Sequence, residues 1–160
     1  MRYLSLNTFG DPKNNEEPPA PKVVFCGNIP CLNHLCICLT TSASFALFGA
    51  TESLGHPSLG KDIGQILKTK KTGILITDNI IELFAKADAV IDFTVPTATL
   101  EHAKYSAQAR IVHVIGTTGF NKSQLRKIDF AAQHATIIKS GNMSLGINIL
   151  ESIVKIASSK

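Results

Sequence analysis

Arg110-Ile-Val-His-Val-Ile-Gly-Thr-Thr-Gly-Phe120 is the stretch whose reading decides the fold. Ile111, Val112, Val114 and Ile115 are apolar and β-branched, as a parallel strand covered on both faces requires. Gly116 and Gly119 then bracket Thr117 and Thr118. Such a turn lets backbone come close to a ligand while offering two hydroxyls and several N–H donors. In open α/β sheets ligands sit beyond the carboxyl ends of the strands, where this turn falls. An ordinary strand-to-turn junction reads the same in isolation, so the flanking sequence has to decide.

On the amino-terminal side, Ala89–Phe93 reads as another strand, and Thr94-Val-Pro96 opens a helix because proline is favoured in a first turn. Leu100, Ala103 and Ala107 are the expected buried stripe of that helix. Further back, Gly73–Thr77 is a short strand, followed by a short helix from Asn79 to Lys86 with Ile80, Leu83 and Phe84 on one face. On the carboxyl side, Asn121 is an N-cap with Gln124 three residues on, a capping-box variant. Leu125, Ile128 and Ala132 form the stripe of the helix it starts, and Thr136–Lys139 is a further strand. Ser140-Gly-Asn-Met143 makes a second ligand-side turn, and Leu145 to Lys160 reads as a long amphipathic helix. This β-α alternation with short connections calls for a parallel sheet with right-handed crossovers. Each glycine turn follows a strand, so the turns collect at one edge.

Toward the start, Val23–Gly27 is a strand ending at glycine, and Phe45–Ala50 is a second strand followed by Glu52. A strand, a glycine turn, a helix, and a strand ending in an acid about 20 residues on form the dinucleotide fingerprint. That acid accepts hydrogen bonds from ribose hydroxyls. The outline is present, but Asn28, Ile29, Pro30, Cys31, Leu32 and Asn33 stand where further glycines belong. Pro30 puts the helix N-terminal anion site in doubt. A pair of compensating reading-frame shifts would rewrite such residues at constant length. Leu35–Ser44 is β-branched and Ser-rich, a poor helix former. Gly55–Asp62 is loop chemistry, with His56 a solvated loop residue. Residues 1–20, rich in Pro, Asn and Glu, read as a flexible leader without the apolar run of a secretory signal.

The 160 residues suit one domain, and a hydrophobic content of 44% is enough for a core. Sixteen Lys and Arg against 12 Asp and Glu give a net charge of +4 and a pI near 8.9. The excess is dispersed, and eight Phe, two Tyr and no Trp do not make the basic, aromatic-interleaved face of a nucleic-acid binder. Residues 23–51 carry no charged side chain, which raises a membrane span, but Asn28, Pro30, Asn33, His34 and four hydroxyl residues from Thr40 to Ser44 interrupt it. Cys26, Cys31, Cys36 and Cys38 lack a C-x-x-C pair, so neither a zinc site nor a disulfide framework is supported. Buried or semi-buried thiols in a reducing cytoplasm fit them best.

The runs GATESLGHPSLGKDIG (49–64), DAVIDFTVPTATLEHA (88–103), VIGTTGF (114–120) and KSGNMSLGINIL (139–150) resemble the 4-hydroxy-tetrahydrodipicolinate reductase family of the bacterial diaminopimelate and lysine pathway. The resemblance covers about residues 45–160, with Lys22–Gly27 a looser match. It implies a Rossmann-like doubly wound parallel sheet over residues 21–144, with 145–160 starting the helix into a substrate and tetramerisation domain that is largely absent. Within it, Gly27 matches the first glycine of the phosphate loop and Glu52 the ribose-binding acid. Gly116, Thr117 and Thr118 match the turn at the nicotinamide end, and Ser140, Gly141, Asn142 and Met143 the turn closing over the ring. Ser53 stands where relatives using both cofactors often carry arginine, which favours NADH, with NADPH possible. The implied reaction is hydride transfer to an unsaturated cyclic dicarboxylate. The family's paired-histidine and lysine motif would lie past Lys160, and His34, His56, His102, His113 and His134 do not match it, so no catalytic residue is expected in this chain. His113 is expected to be a satisfied core residue. A catalytically dead dinucleotide-binding or assembly module, and a different NAD(P)-dependent reductase on the same sheet, are the competing readings.

Overall fold

The computed structural model describes residues 19–27, 33–140 and Val154, side chains of 33–35 and 39 excepted. The proposed leader up to residue 18, the replaced loop at 28–32, and the amphipathic helix apart from Val154 lie outside the described residues. Among the described residues, six parallel strands form one sheet. They are β1 (Lys22–Gly27), β2 (Ala46–Thr51), β3 (Ile76–Thr77), β4 (Ala89–Phe93), β5 (Val112–Ile115) and β6 (Ile137–Lys139), in the spatial order β3-β2-β1-β4-β5-β6. The order reverses between β1 and β4, and ligands of doubly wound sheets bind at that switch point.

β1 is the centre because its sequence can be covered on both sides. Val23 and Phe25 face one core with Ala50, Ile63, Leu67 and Ile76, while Val24 and Cys26 face a second with Phe84, Val90 and Ile111. The first core is closed by helices α1 (Asn33–Thr41) and α2 (Ile63–Ile66), the second by α3 (Ile80–Phe84) and α4 (Pro96–Ala109). Helix α5 (Lys122–Ala131) packs beside α4. The capping box expected at its start is present. Asn121 Oδ1 accepts the Gln124 N–H at 2.9 Å, and Gln124 Oε1 accepts the Asn121 N–H at 2.9 Å.

Three expectations need correction, besides the α5 stripe, where Ala131 and not the exposed Ala132 is buried with Ile128. Residues 33–41 are helical despite their composition. Cys36 is fully buried in the first core, and the Thr40 and Thr41 hydroxyls donate back to the Ile37 carbonyl at 2.8 and 2.9 Å, so they do not compete with the helix from outside it. The second correction concerns α4, whose buried face is Thr99, His102, Ala103 and Ser106, with Leu100 and Ala107 only half-buried. Its stripe is rotated toward polar residues because a charged partner waits on the sheet beneath. Third, the short helix α2 was not anticipated. Asp62 caps it and is itself buried, accepting N–H groups of Gly64 (2.8 Å), Thr72 (3.1 Å) and Gly73 (2.6 Å). Although burial pushes the Asp62 carboxyl upward, these donors hold it below the ordinary carboxylate range.

Within the charge-free stretch 23–51, the described residues hold the rest of β1, helix α1 and strand β2. No helix among the described residues is long and apolar enough to cross a membrane. Cys26 and Cys36 are buried free thiols and Cys38 an exposed one, while Cys31 lies outside the described residues.

Candidate functional site

At the carboxyl edge of the sheet, a cavity of about 730 Å³ opens over the tips of β1, β2 and β4. Gly27 and Glu52 line it together with Phe93, Thr94, Val95 and His102. Gly27 has to be glycine on two counts. Its φ is +138°, and a Cβ there would stand 2.5 Å from the Phe93 carbonyl oxygen. The tips of β1 and β4 therefore meet backbone to backbone under the cavity floor.

Glu52 follows β2 directly. Its N–H donates to the Thr77 carbonyl at 3.2 Å, which anchors the acid to the tip of β3. Its side-chain Oε1 is buried and has no hydrogen-bond partner among the described residues. An unsatisfied buried acceptor costs about 1–3 kcal/mol. Ser53, Leu54 and Asp78 continue the wall, and Leu54 and Val95 are exposed apolar side chains at its rim. Among the described lining residues there is no Lys or Arg, and the acids are Glu52, Asp78 and Glu101. Beside them Cys26, hydrogen-bonded to Thr51, is driven far above the usual thiol range by burial, which leaves it inert.

The tips of β4 and β5 are built in the opposite way. Asp92 is fully buried in β4, and the register sets it opposite Ile115 of β5, with His113 two residues earlier on the same sheet face. Asp92 Oδ2 accepts His102 Nδ1–H at 2.8 Å and His113 Nε2–H at 3.2 Å. Its Oδ1 accepts the Thr94 N–H at 3.0 Å, the Thr94 hydroxyl at 2.6 Å and, more weakly, the Thr117 hydroxyl at 3.4 Å. Thr117 Oγ in turn accepts the Thr94 N–H at 3.1 Å and the Thr99 hydroxyl at 2.9 Å. Burial raises the Asp92 carboxyl, but the donors from His102, His113 and Thr94 outweigh it and leave the group far below the ordinary range. His113 is thus held in the core on one ring nitrogen, while its buried Nδ1 has no partner among the described residues.

The sequence-predicted residues divide accordingly. Gly27 and Glu52 come together in the cavity. Thr117 is buried with its hydroxyl turned into the Asp92 network rather than outward, whereas Thr118 is exposed. Gly116 is needed for the turn's approach to β4, since a Cβ would fall 2.1 Å from the Phe93 ring. Ser140 follows β6 and is half-buried. Gly141, Asn142 and Met143 lie outside the described residues. Sequence reasoning missed Asp92 and His102. The available signal was an acid inside a strand otherwise apolar enough to be covered on both faces. A larger depression of about 850 Å³ between α4 and α5, floored by Leu100, Ala107 and Phe130, holds none of the predicted residues and lies away from the strand tips. Among the described residues no group of three His, Cys, Asp or Glu side chains is placed to hold a metal ion.

A parallel sheet in this order, with glycine at the tip of β1 and an acid at the tip of β2, defines the Rossmann-like class of doubly wound domains. Within that class the chain belongs to the dihydrodipicolinate reductase family. The family model described as "Dihydrodipicolinate reductase, N-terminus" matches residues 33–143. A 4-hydroxy-tetrahydrodipicolinate reductase from Ruegeria pomeroyi is 48% identical over 117 residues, 73% of this chain and 44% of that protein. One from Brucella abortus is 54% identical over 109 residues, 68% of this chain and 41% of that protein. The solved dipicolinate-bound dihydrodipicolinate reductase from Paenisporosarcina sp. TG-14 is 18% identical with a TM-score of 0.62, covering 87% of this chain and 54% of that one, a likeness of fold. The chain spans about two fifths of the length of the curated relatives it matches.

Proposed function

We propose that this chain is the cofactor-binding part of an NAD(P)H-dependent 4-hydroxy-tetrahydrodipicolinate reductase, with residues 21–144 as the dinucleotide domain and 145–160 the helix leading to a substrate and tetramerisation domain. The observation that carries it is the buried Oε1 of Glu52, without a partner among the described residues, in the wall of a cavity over the sheet's switch point. A ribose diol supplies the donors that this oxygen lacks. Leu54 and Val95 offer apolar surface of the kind a flat base covers. Gly27 gives backbone access at the tip of β1, and Gly116, Thr117 and Thr118 with Ser140, Gly141, Asn142 and Met143 are assigned to the nicotinamide end. When bound, the dinucleotide supplies a hydride for an unsaturated cyclic dicarboxylate. The residues of this chain bind and orient it and shield its reactive face from water.

The acids Glu52, Asp78 and Glu101 around a cavity without Lys or Arg support NADH over NADPH, because a 2′-phosphate would face carboxylates and find no guanidinium. Free thiols at Cys26, Cys36 and Cys38 suit a reducing cytoplasm. A second reading, a dinucleotide-binding or assembly module without turnover, draws on the residues after Gly27, where Asn28 to Asn33 replace the glycines of a phosphate loop. Fluorescence titration of the chain with NADH and NADPH tests the proposal. Saturable binding with NADH the tighter ligand is expected. Equal or tighter NADPH binding contradicts the preference, and no binding of either contradicts the reading itself.

A further inference from the structure

The Asp92 cluster does more than fill the core. A carboxylate buried this deeply needs donors, yet a core can satisfy one with two or three backbone N–H groups. Here the donors are instead drawn from the pieces that must be aligned for a dinucleotide. Thr94 and His102 line the cavity that holds Glu52, and Thr117 belongs to the glycine-threonine turn at the tip of β5. Asp92 touches all of them, and Thr99 closes the ring by donating to Thr117 at 2.9 Å and lying 3.3 Å from the Thr94 hydroxyl. From the neighbouring strand, His113 Nε2–H donates to Asp92 Oδ2, the oxygen that also takes His102.

We propose that Asp92 is a positioning residue for the cofactor: its buried carboxylate sets the Thr94–Val95 wall of the cavity, the His102 ring and the Gly116–Thr118 turn in one register, so that the two ends of a dinucleotide are held together. The inference rests on the dinucleotide reading above. Asp92 itself is fully buried and contacts the ligand only through these side chains. Because Oδ2 can only accept, it also fixes the ring tautomers, with the proton on Nδ1 of His102 and on Nε2 of His113. His102 Nε2 is then the ring atom left for the cavity side.

The test uses the whole chain, its Asp92→Asn variant and, in case that variant does not fold, Thr117→Val, which cuts the link to the turn and spares the carboxylate. Proton NMR should show two far-downfield, slowly exchanging ring N–H resonances in the parent, kept in Thr117→Val and lost in Asp92→Asn. Affinities for NADH and for ADP-ribose are then compared. Thr117→Val is expected to weaken NADH about tenfold and ADP-ribose by a clearly smaller factor, because the turn serves the end that ADP-ribose lacks, whereas Asp92→Asn, which also releases the Thr94–Val95 wall, weakens both. A merely structural role would lower both affinities alike in Thr117→Val as well. A folded Asp92→Asn protein that binds NADH as tightly as the parent, or equal losses for the two ligands in both variants, overturns the proposal alone. A parent that binds neither ligand overturns the dinucleotide reading and this proposal with it.

Discussion

Two strand tips on either side of β1 treat a carboxylate in opposite ways. Past the end of β2, Glu52 keeps a buried oxygen without a partner among the described residues. In β4, Asp92 is surrounded by donors from His102, His113, Thr94 and Thr117. On the proposed reading, the same functional group serves a ligand in one place and bolts the scaffold in the other. What separates them is the balance of hydrogen bonds, since a satisfied carboxylate has nothing left to offer and an unsatisfied one stores a cost that binding can relieve.

The contrast can be broken most forcefully at the saturated end. Asp92→Ala leaves two buried ring N–H groups and part of the Thr94 pairing unmet, and each such group costs about 1–3 kcal/mol. Urea unfolding should show a loss of about 3 kcal/mol or more. A loss below about 0.5 kcal/mol, the range of an ordinary surface change, would mean the cluster is not a bolt.

A somewhat smaller effect is expected at Gly116, where the turn leans on the Phe93 ring. Gly116→Ala forces the ring or the turn to move, at about 1–3 kcal/mol for an overpacked contact. NADH affinity should fall with it, while Gly119→Ala, where a Cβ meets nothing but φ is +85°, strains only the turn's backbone. If Gly116→Ala cost less than Gly119→Ala, the close approach of the two tips would be wrong.

The saturated end should also show itself in acid. Asp92 and Asp62 are both held below their ordinary range when folded, so below about pH 4 the unfolded chain takes up protons first. The stability they contribute is present above that pH and is lost as pH falls toward their folded values. Denaturant midpoints measured from pH 6 to pH 2.5 should drop on the acid side, and Asp92→Asn should flatten that drop. An unchanged acid slope in a folded Asp92→Asn protein would contradict the assignment.

Much of the sheet was legible because its signals are local. β-Branched runs ending in glycine give β1 and β5, Pro96 opens α4, and the three-residue spacing of Asn121 and Gln124 gives a capping box that the structure contains. Glu52 was legible as an acid just past a strand, 25 residues after Gly27, close to the fingerprint's spacing. The helix at 33–41 was not, because its Thr and Cys residues are weak formers and only burial of Cys36 against β1 reveals why it holds. The Asp92 cluster was illegible for a different reason. Residues 92, 102 and 113 lie far apart in the chain, and only the β4–β5 register and the rotation of α4 bring them within hydrogen-bond reach. That register also turns the Thr117 hydroxyl inward, where the sequence suggested a group offered to a ligand.

The most direct test of the unsatisfied end is Glu52→Gln, followed by NADH affinity and urea midpoint on the same preparation. A hydrogen bond to a charged group is worth about 1.5–3 kcal/mol, so NADH binding should weaken about tenfold or more while the urea midpoint stays within about 0.5 kcal/mol of the parent. Unchanged NADH affinity, or a large loss of stability in its place, would show that the Glu52 oxygen is not held open for a ribose.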